Sequence, residues 1–374
     1  MTRNQDKLFG PGSIVLLALM GLGLVVAVIR FVFGLGAISN LSDAYPWGIW
    51  ISFDLFCGVA LAAGAFVVAA TVHIFGGETM KPLLRPAILT GFLGYIMVGM
   101  ALMVDLGQYH RIWYLIFNWN LHSPLFEVGW CVMLYLTVLS LEVAPMVLER
   151  FKLHVPLKYL ERVSIVLIIA GITLSTMHQS SLGTMLLIMQ DKLHPLWHTP
   201  ILPIIFLISA IAVGIAMVIF ESTLSSKVFK REAETVAQGQ LARGLPWVLA
   251  LYFIMKMADL ALRGELGKIF AGTLESTLWI LEMAIGVVIP FFFFLRKEVR
   301  KSTPAMCGGA ILVIAGVMLN RFNVSLLAIS APESASYFPH VMEIIISASI
   351  VAAGILAFYL FVRFFPVLVE EHEH

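Results

Sequence analysis

The stretch PWGIWISFDLFCGVALAAGAF, residues 46–66, is apolar almost throughout and carries one carboxylate, Asp54. A segment of this length and composition predicts a membrane-spanning helix, because about 20 apolar residues cross the hydrocarbon core. A carboxylate within such a helix costs about 2.5–3.5 kcal/mol on insertion scales. We expect that cost to be accepted only where the carboxylate has a function or a partner in the membrane.

The whole chain has the composition of a polytopic membrane protein. Of its 374 residues, 60% are hydrophobic and 13% are charged, whereas soluble domains average about 25% charged residues. The net charge of +1 and the lack of a basic stripe predict no nucleic-acid partner. The cysteines Cys57, Cys131 and Cys307 lie far apart without a C-x-x-C motif, which argues against iron–sulfur ligation, c-type haem and disulfides.

Windows of about 20 apolar residues predict ten spans and therefore an all-α membrane protein. The N-terminal apolar run follows Arg3 and Lys7 but is too long for a signal peptide, so we interpret it as the first span. The loops are short, and residues 1–374 are interpreted as a single integral membrane domain. The predicted spans are 13–35, 47–75, 87–106, 124–148, 160–182, 203–224, 245–262, 274–295, 306–327 and 341–366.

The distribution of lysine and arginine predicts the orientation of these spans. If the N-terminus is cytoplasmic, seventeen of the 24 Lys and Arg residues lie on the cytoplasmic side. Positive charges accumulate on that side of membrane proteins, so both termini are predicted to be cytoplasmic. The opposite side has five basic residues: Arg111, Lys192, Arg263, Lys268 and Arg321.

With this orientation, unusual polar residues gather in the outer third of the membrane. Asp54 lies roughly 10 Å below the outer end of its helix, and Glu127 and His178 lie roughly 5 Å from theirs. Four consecutive helices therefore contribute to one polar layer. Its further members are Trp47, Asp105, Tyr109, Arg111, Ser123, Gln179 and Ser180.

Several charged residues in the spans could instead have a structural role as ion pairs between helices. Arg30 lies about 8 Å from the outer end of span one and could form an ion pair with Asp54. On span seven, Lys256 and Asp259 have helical spacing, and Glu282 on span eight is the natural partner of Lys256. This second cluster is interpreted either as a salt-bridge network or as a second functional site.

Three functions are candidates for the polar layer: transport, haem-based electron transfer and quinone chemistry. A transporter usually has broken helices around a site at mid-membrane, whereas these residues lie off-centre. A dihaem cytochrome b needs facing histidine pairs, but only His73 and His178 fall within spans, at opposite ends. No haem and no metal are therefore expected in this chain.

Quinone chemistry fits the polar layer better. It requires an apolar channel, hydrogen-bond donors for two carbonyls and groups that exchange protons. Asp54, His178 and Glu127 are the candidate catalytic groups, and the other members of the polar layer are candidates for the quinone pocket. Glu142, further along the same helix as Glu127, is a candidate for a proton path toward the cytoplasm. The electrons must come from a partner on the outer face.

Separated motifs in the chain resemble those of a known family. They are GLGAISNLSDAYPWGIWISFDLFCG, VDLGQYHR, NLHSPLFE, LEVAPMVLER, STMHQSSLGTM and HPLW, between Gly34 and Trp197. Together they resemble the NrfD/polysulfide-reductase membrane-subunit family. Within it they are most similar to the membrane subunits of hydrogenase-2-type nickel–iron hydrogenases.

The resemblance implies a fold and a function. The fold is two four-helix bundles, 47–182 with the quinone pocket and 203–327, flanked by helices 13–35 and 341–366. The function is reduction of menaquinone or ubiquinone without haem in this subunit. The implied partners are a periplasmic ferredoxin-like iron–sulfur subunit and nickel–iron hydrogenase large and small subunits, in the bacterial cytoplasmic membrane. Two alternatives stay open: a polysulfide, sulfur or molybdopterin oxidoreductase partner, and an ion or solute transporter.

Overall fold

The computed structural model describes residues 10–43, 45, 47–189, 192–330 and 337–368. Ten helices in these ranges are long and apolar enough to cross a membrane, which confirms the ten predicted spans. We number them α1 to α10. They are α1 Pro11–Phe33, α2 Trp50–His73, α3 Glu78–Asp105, α4 Pro124–Arg150, α5 His154–Leu187, α6 Leu202–Val228, α7 Thr235–Leu262, α8 Leu274–Leu295, α9 Thr303–Leu327 and α10 Val341–Phe364.

Helices account for nearly all regular structure in the described ranges. The one β contact there is an isolated antiparallel bridge between Leu193 and Ile329, in two loops. A helix satisfies its own backbone hydrogen bonds, which a lipid environment requires. The predicted all-α class is therefore confirmed.

The helices pack as two rings of four joined through α6. Each of α2, α3, α4 and α5 contacts the next, and α5 returns to α2. The same holds for α6, α7, α8 and α9, while α6 also contacts α2 and α5. Helix α1 packs along α10, and α10 also packs against α3 and the first part of α2. Helix α10 is therefore part of the wall around the N-terminal end of α2.

Glycine allows close helix approach in the second ring. A Cβ atom built on Gly286 of α8 would lie 2.7 Å from the Cα atom of Gly316 on α9. No side chain fits at that separation, so the two backbones meet directly. Small residues at helix contacts are typical of membrane bundles.

Helix α2 is irregular where the sequence places its carboxylate. It begins with a π-helical segment, Trp50–Cys57, continues as a short α-helix, Gly58–Leu61, and is interrupted at residues 62–63 before Gly64–His73. Two further π-helical segments lie in α8 and α9, at Ala284–Val288 and Asn323–Leu327. Such segments often mark functional sites, and they change which side chains share a helix face.

Candidate functional site

Asp54 is buried within the π-helical segment of α2 and faces α10. Its side chain is 6% exposed, and its Oδ2 atom accepts a 2.6 Å hydrogen bond from the Ser347 hydroxyl. A carboxylate in the membrane normally needs charged or hydrogen-bonding partners, and here it has one neutral donor. Ser347 was not among the predicted site residues, because sequence spacing alone does not show that α10 packs on α2.

The predicted ion pair between Arg30 and Asp54 is wrong. The Arg30 guanidinium instead donates hydrogen bonds to the carbonyl oxygens of Val104 at 2.7 Å and Leu106 at 2.5 Å. These carbonyls end α3, where helical partners run out, so a cation there satisfies them and the helix dipole. The guanidinium also lies 5.3 Å from the ring centroid of Tyr109.

Glu343 of α10 forms hydrogen bonds with the segments that precede α2 and α10. Its fully buried carboxylate accepts hydrogen bonds from the backbone amides of Asn40 and His340 at 2.9 Å and from the Tyr337 hydroxyl at 2.5 Å. Burial raises the pKa of the Tyr337 phenol, so this hydroxyl stays protonated and donates. The indole of Trp50 donates to the Glu343 carbonyl at 3.3 Å. This network fixes the outer end of α2 against α10.

His178 lies in a second polar cluster inside the first ring. It is fully buried, and its Nδ1 atom shares a 2.8 Å hydrogen bond with the Tyr95 hydroxyl of α3. Its Nε2 atom is buried and has no hydrogen-bond partner among the described residues. The neighbouring Gln179 donates to the Val59 carbonyl of α2 at 2.8 Å, while its own oxygen has no partner. The Tyr95 ring packs edge-to-face on Tyr135 of α4, with centroids 4.6 Å apart.

Glu127 of α4 contacts Ser181, which follows His178 by three residues on α5. Its Oε1 atom accepts a 2.5 Å hydrogen bond from Ser181 of α5, and the residue is exposed at the start of α4. Ser123 caps that helix by accepting from the Phe126 amide at 3.4 Å. Among the described residues, Ser180 donates only to the carbonyls of Thr176 and Met177 in its own helix, so it makes no hydrogen bond to His178.

The remaining predicted pocket residues lie at the predicted outer surface. Arg111 is exposed, with its guanidinium 5.9 Å from the Tyr114 ring centroid. Trp47 is half-buried and lies 6.4 Å from the Phe56 ring. One carboxylate oxygen of Asp105 is buried without a partner. Asp105 and Arg111 lie at the C-terminal end of α3 and just beyond it, whereas Trp47 lies just before the start of α2.

The residues of the predicted polar layer thus include two separate clusters. In the described part of the chain, no hydrogen bond, ion pair or ring contact joins Asp54 to His178. Asp54 and Ser347 lie between α2 and α10, whereas His178 and Tyr95 lie between α5 and α3. We call them the Asp54 cluster (Asp54, Ser347, Glu343, Trp50) and the His178 cluster (His178, Tyr95, Gln179).

Lys256 and Glu282, which were predicted to be partners, form an ion pair in the second ring. The Lys256 ammonium lies 2.6 Å from the Glu282 carboxylate, and both side chains are at least 95% buried. Glu282 also accepts from Trp197 at 2.8 Å and from Asn320 and Asn323 at 2.9 Å. Asp259 is not part of this network, since it pairs with Arg263 at 2.6 Å and accepts from Thr199 at 2.5 Å.

Glu142 of α4 is half-buried and faces α5. A Cβ atom built on Gly171 would lie 3.4 Å from its Oε1 atom, so the absence of a side chain there makes room for the carboxylate. None of the described residues donates a hydrogen bond to it. Its predicted role in a proton path stays a prediction.

His73 and His178, the two histidines in the predicted spans, are not placed as a facing pair for haem. His73 is exposed at the inner end of α2, whereas His178 is buried in α5 with one nitrogen committed to Tyr95. Two such residues cannot face one another across a porphyrin. Among the described residues, no group of three or more His, Cys, Asp or Glu side chains is arranged to hold a metal.

Comparison with known proteins identifies the family. The family described as "Polysulphide reductase, NrfD" matches residues 37–330. The chain belongs to this NrfD family. That range covers eight of the ten spans, α2 to α9, and every predicted candidate of the polar layer.

Three relatives align along nearly the whole chain. A protein of Nitratidesulfovibrio vulgaris strain Hildenborough is 40% identical over 99% of this chain and 98% of its own. The "Probable Ni/Fe-hydrogenase 2 b-type cytochrome subunit" of Escherichia coli K12 is 31% identical, covering 98% and 93%. The "Menaquinone reductase, integral membrane subunit" of N. vulgaris is 28% identical, covering 94% and 90%.

Proposed function

We propose that this NrfD-family chain is the quinone-reactive membrane subunit of a periplasm-facing respiratory hydrogenase complex. It receives electrons from a ferredoxin-like iron–sulfur subunit and reduces menaquinone. The names of the E. coli and N. vulgaris relatives support the hydrogenase partner and the menaquinone. The nickel–iron large and small subunits supply the electrons, since this chain has neither cysteine motifs nor facing histidines for a redox centre.

The observation that carries the proposal is the buried Asp54 carboxylate with its single neutral donor, Ser347. Reduction of a quinone to a quinol takes two electrons and two protons. A carboxylate without a counter-ion in an apolar site can accept and release a proton near neutral pH more readily than one held by a cation. We place the quinone head group at the outer end of α2, where Asp54 donates one proton.

His178 has a different part in this proposal. Its fully buried imidazole contacts Tyr95 and leaves Nε2 without a partner. We assign the His178 cluster to storage and transfer of the second proton behind the head group, rather than to direct contact with a carbonyl. Trp47, Tyr109 and Arg111 form the rim on which the iron–sulfur subunit docks.

The test is Asp54→Asn in the complete complex. Asparagine keeps the shape and a hydrogen bond but cannot ionise, so H2-to-quinone electron transfer should fall by about 100-fold or more, as for loss of a general acid. H2-to-viologen activity and assembly should be retained. Asp43→Asn, at an exposed aspartate of the neighbouring loop, is the control and should keep both activities. Parallel loss of both activities in Asp54→Asn would make Asp54 a structural residue instead.

The partner and the transport alternative are tested by purification. A native complex that contains nickel and this chain supports the hydrogenase assignment. A molybdopterin-containing partner would transfer the same quinone chemistry to another oxidoreductase. Solute transport by the isolated chain in liposomes would contradict the quinone proposal.

The proposed orientation places both termini in the cytoplasm of a bacterial inner membrane. Single cysteines at Asp43 and Lys227, both exposed, test it with a membrane-impermeant thiol reagent. We expect Asp43→Cys to be labelled from outside intact cells and Lys227→Cys only from the inside. The reverse pattern would invert the assignment of the outer face.

A further inference from the structure

A cavity opens between the predicted cytoplasmic ends of α3 and α6. Its volume is about 40 Å³, which is enough for a few water molecules. Its wall includes Pro82 and Pro86 of α3, Ser222 and Ser225 of α6, and Arg231 of the following loop. Pro86 has no amide hydrogen and cannot bond the Pro82 carbonyl one turn earlier, which leaves a further acceptor at this wall.

A buried acid lies one helical turn deeper than the cavity wall. Glu221 precedes Ser225 by four residues on α6, and Thr90 follows Pro86 by four on α3, so each lies above a wall residue. Thr90 donates a 2.7 Å hydrogen bond to Glu221 Oε2. Both members of this hydrogen-bonded pair therefore lie one turn from the cavity wall, on the membrane side of it.

Glu221 is incompletely satisfied. It is 9% exposed, and its Oε1 atom is buried without a hydrogen-bond partner. The Ser225 hydroxyl and the Gln238 side-chain oxygen nearby also lack partners. Glu221 lies near the end of α6, yet the structure buries its side chain inside the protein. Buried polar atoms without partners indicate water or a proton at the site.

Above this pair, the break in α2 leads toward the His178 cluster. Gly91 and Gly94 of α3 face Ala62, and a Cβ atom on either would lie 2.7 or 3.0 Å from an alanine Cβ of α2. Residues 62–63 are where α2 is interrupted. On the far side lie the Val59 carbonyl with Gln179, and Tyr95 with His178. Interrupted helices within a membrane expose backbone groups to ions and protons.

We propose that this cavity is a water-filled proton inlet and that Glu221 is its protonatable end. Glu221 accepts a proton from water in the cavity, releases it toward Tyr95 and His178, and returns to the carboxylate. One of the two protons of the quinol is thereby taken from the predicted cytoplasmic side. The proposal rests on the proposed function for its electron acceptor.

The first experiment measures the side of proton uptake in inverted membrane vesicles that contain the complete complex. The cytoplasmic face of such vesicles is outward, so a non-penetrating pH dye reports external uptake during H2-to-quinone turnover. In Glu221→Gln we expect turnover to fall about 100-fold and the ratio of external protons to electrons to fall to background. Glu221→Asp should restore the ratio in part. An unchanged ratio in Glu221→Gln overturns the proposal, even if turnover has fallen.

Glu161→Gln is the matched control. Glu161 is exposed on α5, at the same predicted face, and belongs to none of the clusters described above. It should keep the wild-type ratio and rate. A loss of uptake in this control as large as that in Glu221→Gln would attribute the effect to surface charge and overturn the proposal.

A second experiment needs no quinone. Ser225→Cys is treated with an impermeant thiol reagent in a background without Cys307, the native cysteine that is not buried. Labelling in inverted vesicles but not in right-side-out vesicles supports a water-filled inlet. Protection in both, or labelling only from the other side, overturns it. This result stands if Glu221→Gln fails to assemble, or if the wild-type complex reduces no quinone and the proposed function fails.

Discussion

The two helical rings treat buried carboxylates in opposite ways. In the second ring, Glu282 has a lysine at 2.6 Å and accepts three further hydrogen bonds of 2.8 or 2.9 Å. Where the first ring meets its neighbours, Asp54 of α2 has one serine donor among the described residues. Glu221, on α6 but facing Thr90 of α3, has one threonine donor and an oxygen without a partner among those residues. Membrane burial is costly for all three.

This difference separates structural from chemical roles. A carboxylate surrounded by a cation and several donors is stabilised as the anion and has no reason to exchange its proton. A carboxylate with one neutral donor is destabilised as the anion and can change protonation during a reaction. The second ring does contain buried atoms without partners, such as Trp279 Nε1. The difference between the two sites therefore concerns the buried carboxylates and not buried polar atoms in general.

The largest effect should come from breaking the satisfied site. Lys256→Met leaves the Glu282 charge buried without its cation, which typically costs about 3–5 kcal/mol. We expect the purified complex to lose this chain or to unfold at a clearly lower temperature, as measured by thermal denaturation in detergent. Replacing Glu282 by Leu in the same chain should recover part of the loss. A single variant as stable as the wild type would show that the Lys256–Glu282 pair is not structural.

A pair of tyrosines sharpens the comparison. Tyr95 shares a 2.8 Å hydrogen bond with His178, whereas Tyr252 approaches Glu282 only at 3.5 Å. Tyr95→Phe should slow quinone reduction about 100-fold, as for loss of a proton-transfer group. It should change stability by only about 1 kcal/mol, because the ring still packs on Tyr135. Tyr252→Phe should leave quinone reduction near the wild-type rate. Equal effects in steady-state assays of both variants would remove the functional distinction between the rings.

The sequence predicted the ten spans, but it did not predict how the polar side chains group together. Apolar length determines a span directly, so all ten were predicted. The contacts of Asp54 were not, because they depend on α10 packing across α2 and on the π-helical segment Trp50–Cys57. A π-helical turn has more residues than an α turn, so positions inferred from regular α-helical spacing point elsewhere. Arg30 likewise donates to backbone carbonyls at the end of α3. Every residue has a backbone carbonyl, so the sequence does not show which one an arginine will contact.

A smaller effect is expected at Glu142, which we compare with Glu149 on the same helix. Glu149, seven residues further along α4, receives two hydrogen bonds from Arg85 at 2.7 and 2.9 Å, whereas the Glu142 carboxylate has no described donor. Glu142→Gln should slow quinone turnover about tenfold if it carries protons, with viologen activity intact. Glu149→Gln should change stability but not turnover. Unchanged turnover in Glu142→Gln would remove Glu142 from the mechanism.

The smallest effect is expected at Ser180, and it tests whether polarity alone marks a functional residue. Ser180 lies beside Gln179 and two residues from His178, yet its hydroxyl donates only to the Thr176 and Met177 carbonyls of its own helix. Those carbonyls already take part in the helix ladder, so Ser180→Ala leaves no buried group unpaired. We expect a stability change within about 0.5 kcal/mol and an unchanged rate of quinone reduction, from thermal denaturation and steady-state assays of the same preparation. A loss of turnover comparable to that of Tyr95→Phe would mean that Ser180 turns toward His178 during the reaction, and that contacts in the resting structure do not separate the two roles.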